Sequence, residues 1–240
     1  RGLRRAAREV RERVRDVSAQ ELYSLSELKE AIESAIKRAR KRRFTQSVEM
    51  IIVLRDIDMK KPENRLNISV ALPHPPASKP AKVAVIAAGD LALKAKEAGA
   101  DLVLDRDGLE KIASSKRGAR KLAREYDFFL AQPDLMVLIG RLLGKYLGPR
   151  GKMPQPVPPN APVAPLIDRL RRSVRIRTRE QPQIGCRIGT ENQPVDELAE
   201  NARAVLDEVL KKIPAHNIAR IFFKVTMGPP VAVAKKVAAR

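Results

Sequence analysis

The chain has 240 residues and carries 48 Lys and Arg against 28 Asp and Glu, a formal charge of +20. Hydrophobic residues make up 44% of it, enough for real cores, yet no apolar run approaches the ~18–20 residues that a membrane-spanning helix needs. Ion-pair networks on a heavily charged surface tend to balance their signs, so this excess points outward, to a polyanionic partner: nucleic acid ahead of an anionic membrane or an acidic protein.

Residues 1–17 form a basic N-terminal extension. Leu3, Ala6, Ala7, Val10 and Val14 make a narrow apolar stripe among its arginines, which suits either a helix docked on the body or an arm that orders on RNA; we read it as the arm. Ser24-Leu25-Ser26-Glu27 is a capping-box pattern and predicts a helix running to about Lys41. That helix ends in KRARKRR (37–43), six cations in seven residues. Strands are predicted over 48–57 and 67–72.

Two proline-rich stretches follow, PHPPASKP (73–80) and PQPVPPNAPVAP (154–165), and both read as stiff, extended connections that exclude helix and central strand. Between them, apolar runs at 82–87, 100–105 and 127–131 alternate with helical patterns. The last of these is a helix over 133–143. Strands apolar on both faces and separated by helices predict a small parallel sheet. After the second stretch, RLRRSVRIRTR (169–179) places six arginines in eleven residues. Its Arg175, Arg177 and Arg179 alternate along a predicted strand, either as an RNA-facing row or as edge protection. A strand at 183–188, a helix at 195–213 and a strand at 221–226 complete the chain. Leu198, Ala202, Val205, Leu206, Val209, Leu210 and Ile213 share one face of that helix. Neither flank builds a core alone, so the simplest reading is one α/β domain made from both ends with a second inserted into it.

Three segments carry candidate chemistry. Arg42-Arg43-Phe44-Thr45-Gln46-Ser47 puts cations, an aromatic ring and hydrogen-bonding side chains together, as RNA readout needs; the alternative is that Phe44 plugs the core. Thr226-Met227-Gly228 offers a hydroxyl, a soft apolar side chain and a backbone that can be closely approached, or is an ordinary turn. LGPRGKMP (147–154) lacks the first glycine and the Ser/Thr of a Walker A motif. It exposes Arg150 and Lys152 either to phosphate or simply to solvent. The lone Cys186 reads as a small core residue and fits a reducing compartment. His74 and His216 sit in unrelated contexts, and G-x-S-x-G, H-E-x-x-H, paired Cys ligands and G-x-G-x-x-G are all absent from the sequence, which argues against an enzyme or a metal site. A nucleotide held by the inserted sheet is the enzyme-class rival to RNA binding, and a free-standing mRNA repressor is the other rival.

RRFTQSVEM (42–50), DIDMKKPENR (56–65), VALPHP (70–75), DFFLAQPDLM (127–136), LGPRGKMPQPVPPN (147–160) and KVTMGPP (224–230) occur in this order. Together they resemble the archaeal form of the large-subunit ribosomal protein L1 family, over about residues 24–233. The resemblance implies an α/β fold of two domains. One is a split α+β sandwich domain from both chain ends, 18–75 and 165–240, and binds RNA. The other, 76–164, is an inserted Rossmann-like three-layer α/β domain with proline-rich hinges. It also implies a cytoplasmic, ribosome-bound protein without cofactor or metal. Its partners would be large-subunit rRNA, exit-site tRNA, its own mRNA and other ribosomal components. It would form the mobile stalk, help release deacylated tRNA, and repress its own translation. The implied RNA contacts are Phe44, Thr45, Gln46, Ser47 and Glu49 with Thr226, Met227 and Gly228, and we add Arg43 and Lys224 as the cations that stand close to them in sequence. A loop carrying Glu180 and Gln181 would also approach the RNA, and Arg150 and Lys152 of the basic loop at 147–154 are further candidate secondary contacts. The extension at 1–17 departs from the family pattern.

Overall fold

The computed structural model describes residues 23–234, except 60, 62, 63, 77, 79 and 179. The N-terminal extension and Arg179 therefore lie outside the described residues. The described chain divides into two compact units, one ending at Ser78 and resuming at Val174, the other spanning Lys79–Ser173.

The first unit is built on an antiparallel sheet in the order β10-β9-β1-β8, from Ser47–Leu54 (β1), Gln183–Thr190 (β8), Ile218–Val225 (β9) and Val231–Ala232 (β10). Asn67–Ala71 (β2) and Ser173–Arg177 (β7) pair separately. Along β1 the burial alternates without a break, with Val48, Met50, Ile52 and Leu54 facing inward. The inner face is covered by helices Leu25–Arg38 (α1) and Val195–Leu210 (α7). Leu28, Ile32 and Ala35 of α1 pack there with Leu198, Ala202, Val205, Leu206 and Val209 of α7. The capping box forms as the sequence predicts: the Glu27 N–H donates to Ser24 Oγ at 3.3 Å, and the Ser24 N–H donates to Glu27 Oε2 at 2.8 Å.

Two predicted ends move inward. Helix α1 stops at Arg38, three residues short of the expected Lys41, because Ala39 turns to an extended conformation and the Arg40 carbonyl accepts from the Gln46 side chain. Strand β1 stops at Leu54, since the Arg55 N–H leaves the ladder for the Asn217 carbonyl and Asp56 adopts φ +56°.

The second unit is a parallel sheet in the order β4-β3-β5-β6, from Val83–Ile86 (β3), Leu102–Leu104 (β4), Phe128–Ala131 (β5) and Gln155–Pro156 (β6). All of β3 and β5 is buried, as the continuous apolar runs require. Helices Asp90–Glu97 (α2) and Val163–Arg171 (α6) cover one face. Arg106–Ser114 (α3), Lys116–Glu125 (α4) and Pro133–Leu147 (α5) cover the other, giving three layers.

Helix α6 corrects the reading of the second proline stretch and the domain boundary at 165. Pro162 caps this helix and Pro165 lies in its first turn, where backbone N–H groups have no intrahelical acceptor, so proline removes nothing. Val163, Ile167 and Leu170 then pack on Val83, Val85, Phe128 and Leu130. The segment 165–173 thus belongs to the inserted unit, and the return to the first unit comes at Val174. The edge strand β6 sits in the same stretch, where Pro156 is tolerated.

The Pro73–Pro76 segment is pinned by Asn201 of α7. Asn201 is fully buried, accepts from the His74 N–H at 2.9 Å, and donates to the carbonyls of His74 (2.6 Å) and Ile188 (2.8 Å). Asn201→Ala removes the acceptor of the His74 N–H and a donor to the Ile188 carbonyl, while the His74 carbonyl keeps Gln193 Nε2 at 3.2 Å, and is expected to lower stability by about 2–3 kcal/mol in urea unfolding. An unchanged midpoint would mean that water replaces the amide without cost.

Candidate nucleic-acid interface

The site begins where β1 starts and β9 ends. These ends are adjacent because Val48 pairs with Val225 in the antiparallel register. One residue further, the Ser47 N–H donates to Thr226 Oγ1 at 3.0 Å, the Thr226 N–H donates to the Ser47 carbonyl at 3.0 Å, and Thr226 Oγ1 lies 3.2 Å from that carbonyl. The Thr226 hydroxyl, a candidate RNA donor on sequence grounds, is thus occupied in joining the two turns.

Gln46 has a similar role. It is 1% exposed, and its side chain donates to the Arg40 carbonyl and to Glu191 Oε2, each at 3.0 Å. Its N–H donates to Glu191 Oε1 at 2.9 Å, and the Glu191 N–H returns a bond to the Gln46 carbonyl. Gln46 therefore supports the turn and presents no free amide N–H to a ligand. Glu191, its partner 145 residues away, was missed in the sequence because no local pattern marks it.

These ties leave two apolar side chains outward. Phe44 is 49% exposed and Met227 is 73% exposed, so Phe44 does not plug the core. Met227 has φ +59°, a left-handed conformation that few side chains adopt readily. Gly228 closes the turn, its N–H donating to the Val225 carbonyl at 2.7 Å. A Cβ there would meet that carbonyl at 3.1 Å and the Ala39 Cβ at 3.5 Å. The end of α1 thus lies against Gly228, and this contact brings the Arg-rich 38–43 segment to the turn. Arg38, Arg40, Lys41, Arg42 and Arg43 are exposed, and Thr45 is half-buried.

The outer face of the sheet continues the surface. Glu49 of β1 stands opposite Lys224 of β9 and Arg187 of β8, and its carboxylate is 3.4 Å from Lys224 Nζ. An acid between two cations in one cross-strand row is held in place and leaves net positive charge. Behind it, burial pushes the Cys186 thiol up to about 12, with the Glu49 charge adding to the effect.

The remaining candidates lie elsewhere. Glu180 and Gln181 are exposed in the turn before β8. Gln183 pairs with Val53 while Thr190 pairs with Ser47, so that turn is at the other end of the sheet, about 20 Å from Thr226. Arg150 and Lys152 belong to the second unit. Lys152 is mostly buried: its Nζ donates to the Tyr126 carbonyl at 2.6 Å and lies 3.5 Å from Asp127. It fastens the loop after α5 and is not the exposed phosphate ligand that the sequence suggested.

A split antiparallel unit with two covering helices, an inserted parallel α/β unit, and a basic surface centred on two mutually bonded turns define a two-unit α/β protein with a surface suited to a polyanion. A family model described as the Ribosomal protein L1p/L10e family matches residues 28–229. The large ribosomal subunit protein uL1 of Thermofilum pendens is 66% identical over 222 residues, covering 92% of this chain and 99% of the relative. That of Pyrobaculum neutrophilum is 53% identical over 201 residues (83% and 90%), and that of Archaeoglobus fulgidus 51% over 208 (86% and 96%). The chain belongs to the ribosomal protein L1 family. It is a structural ribosomal protein and not an enzyme.

Thr226→Val keeps the shape but strands the Ser47 N–H, so it is expected to cost about 1–2 kcal/mol in chemical denaturation, while Thr226→Ser stays near wild type. Cys186, neutral and enclosed, is expected to resist a thiol reagent at pH 8 until urea unfolds the first unit. Rapid modification of the folded protein would show that β8 opens readily.

Proposed function

We propose that the turns Phe44–Ser47 and Thr226–Gly228 form the rRNA recognition centre of this protein. As an L1-family member it is a constituent of the large ribosomal subunit, with rRNA as its partner. The observation that carries the placement is the reciprocal Ser47–Thr226 bonding, which fixes two outward apolar side chains, Phe44 and Met227, beside an exposed row of arginines. The chemistry divides accordingly. Arg38, Arg40, Lys41, Arg42 and Arg43 neutralise phosphates and release counterions, which sets affinity but reads no sequence. Phe44 and Met227 pack on sugar or base faces where RNA departs from a regular helix. Backbone groups of the Met227–Gly228 turn supply hydrogen bonds whose positions do not depend on side-chain rotamers. Thr45, Ser47 and Glu49 line the same edge, and Glu49, held by Lys224, can accept from a 2′-hydroxyl.

We infer, with family membership in support, a mobile stalk beside the exit site that assists release of deacylated tRNA, with repression through a similar structure on its own mRNA. Both uses need one RNA-binding centre, so they predict one ranking of variants. Footprinting on ribosomes with and without exit-site tRNA tests the stalk role, and a pattern indifferent to tRNA would count against it.

Phe44→Ala and Met227→Ala are expected to weaken binding to a large-subunit rRNA fragment by about 1–3 kcal/mol, with little change in the salt slope. Arg42→Gln is expected to flatten that slope by somewhat under one unit and to cost the same on any RNA. Filter binding across salt concentrations separates the two effects. Wild-type affinity in both alanine variants would place the recognition centre elsewhere.

A further inference from the structure

Helix α4 of the inserted unit reads KRGARKLARE, and it carries cations that the site described above does not use. Lys116, Arg117, Arg120, Lys121 and Arg124 are all exposed, while Ala119, Leu122 and Ala123 are buried. At 100° per residue the five cations fall within an arc of about 140°, and they span about 12 Å along the helix axis. Among the described residues none of the five has an acidic partner: Glu125, the acid of this helix, is paired with Lys82.

The arrangement works against the helix that carries it. Lys116–Arg120, Arg120–Arg124 and Arg117–Lys121 are like-charge pairs at i,i+4, which destabilise a helix. Lys116 and Arg117 also occupy the first turn, where the positive end of the macrodipole disfavours cations. Five of the other described helices (α1, α2, α3, α5 and α7) have Asp or Glu in the first turn. Solubility alone needs mixed signs, not an unpaired row of one sign. A segment that breaks local rules without an internal gain marks a binding surface. The neighbouring helices extend it, with Lys111 on α3 and Arg141 and Lys145 on α5 also exposed. These three helices pack together as one layer over the same core.

We propose that the outer face of α4, flanked by α3 and α5, is a second RNA-binding surface, and that it holds the phosphate backbone of double-helical RNA without reading its sequence. The chemistry favours a duplex backbone over splayed bases. The exposed row consists of Lys and Arg with no aromatic side chain among them, so it offers charge and fork-shaped donors but no stacking platform. Bound phosphates would relieve both the like-charge pairs and the first-turn conflict. The surface is independent of the Phe44–Thr226 centre, since it lies in the other unit.

The test uses the full chain and the triple variant Arg117→Gln/Arg120→Gln/Lys121→Gln, with Lys94→Gln/Lys96→Gln on α2 as a control for loss of charge elsewhere in the same unit. The probe is a mixed-sequence RNA duplex of about 24 base pairs, titrated by fluorescence anisotropy from low to moderate salt. The triple variant is expected to bind the duplex at least tenfold more weakly, with a salt slope reduced by about two to three, as the loss of three phosphate contacts requires. Lys94→Gln/Lys96→Gln, on the helix that covers the opposite face of the same sheet, should leave duplex binding unchanged. The triple variant should also unfold at the same or a higher temperature, because like-charge pairs have been removed; a structural role for the cations would lower it. Duplex binding at wild-type strength and slope in the triple variant would overturn the proposal. So would a charge-dependent preference for anionic lipid vesicles over the duplex at equal salt.

Discussion

Strand β1 is the element on which the first unit depends. It pairs with β8 on one side and β9 on the other, and both partners arrive only after the inserted unit has been made. Its inward side chains, Val48, Met50, Ile52 and Leu54, supply the centre of the core that α1 and α7 cover. The same pairing brings Ser47 to Thr226 across 179 residues. A one-residue slip would turn Val48 and Met50 outward and separate the two turns, so core and site are fixed by a single register.

That dependence divides labour within the site. Residues that look like ligands from their chemistry, Gln46 and Thr226, are occupied in holding the backbone. Their neighbours Phe44 and Met227 are thereby left exposed at set positions. Binding surfaces built this way lose little freedom when a partner arrives, because the ordering was completed during folding. The basic segment at the end of α1 joins the site through the contact of Ala39 with Gly228, where a Cβ would crowd the Val225 carbonyl at 3.1 Å.

Much of this was legible beforehand, and for definite reasons. The capping box at Ser24 and Glu27, the alternation along β1 and the unbroken apolar runs of β3 and β5 are short-range patterns with a direct structural cause. Charge gave the class of partner, because an uncompensated excess has no use inside a fold. The misreadings also have causes. Proline in α6 reads as a helix breaker, but a first turn has no N–H bond to lose. Lys152 looked solvent-facing in a glycine-containing loop, yet the carbonyl of Tyr126, 26 residues away, captures it. Glu191 carries no signal at all, since a carboxylate in a polar turn acquires a role only when folding brings it to Gln46.

The sequence by itself determined the two kinds of sheet, the helices that cover them, the insertion of one unit into the other, the family, and a polyanionic partner, because periodicity, composition and motif order are local or additive properties. Only the tertiary structure decided which polar groups face outward. A donor hydrogen is spent once: when the Thr226 hydroxyl hydrogen and the Gln46 amide hydrogens are committed to the chain, they are no longer offered as donors to a ligand, and for the Thr226 hydrogen and one Gln46 hydrogen that commitment depends on partners far away in sequence. The same exclusion separates the buried Lys152 from the unpaired cations of α4, although both look alike as basic residues in a row of letters.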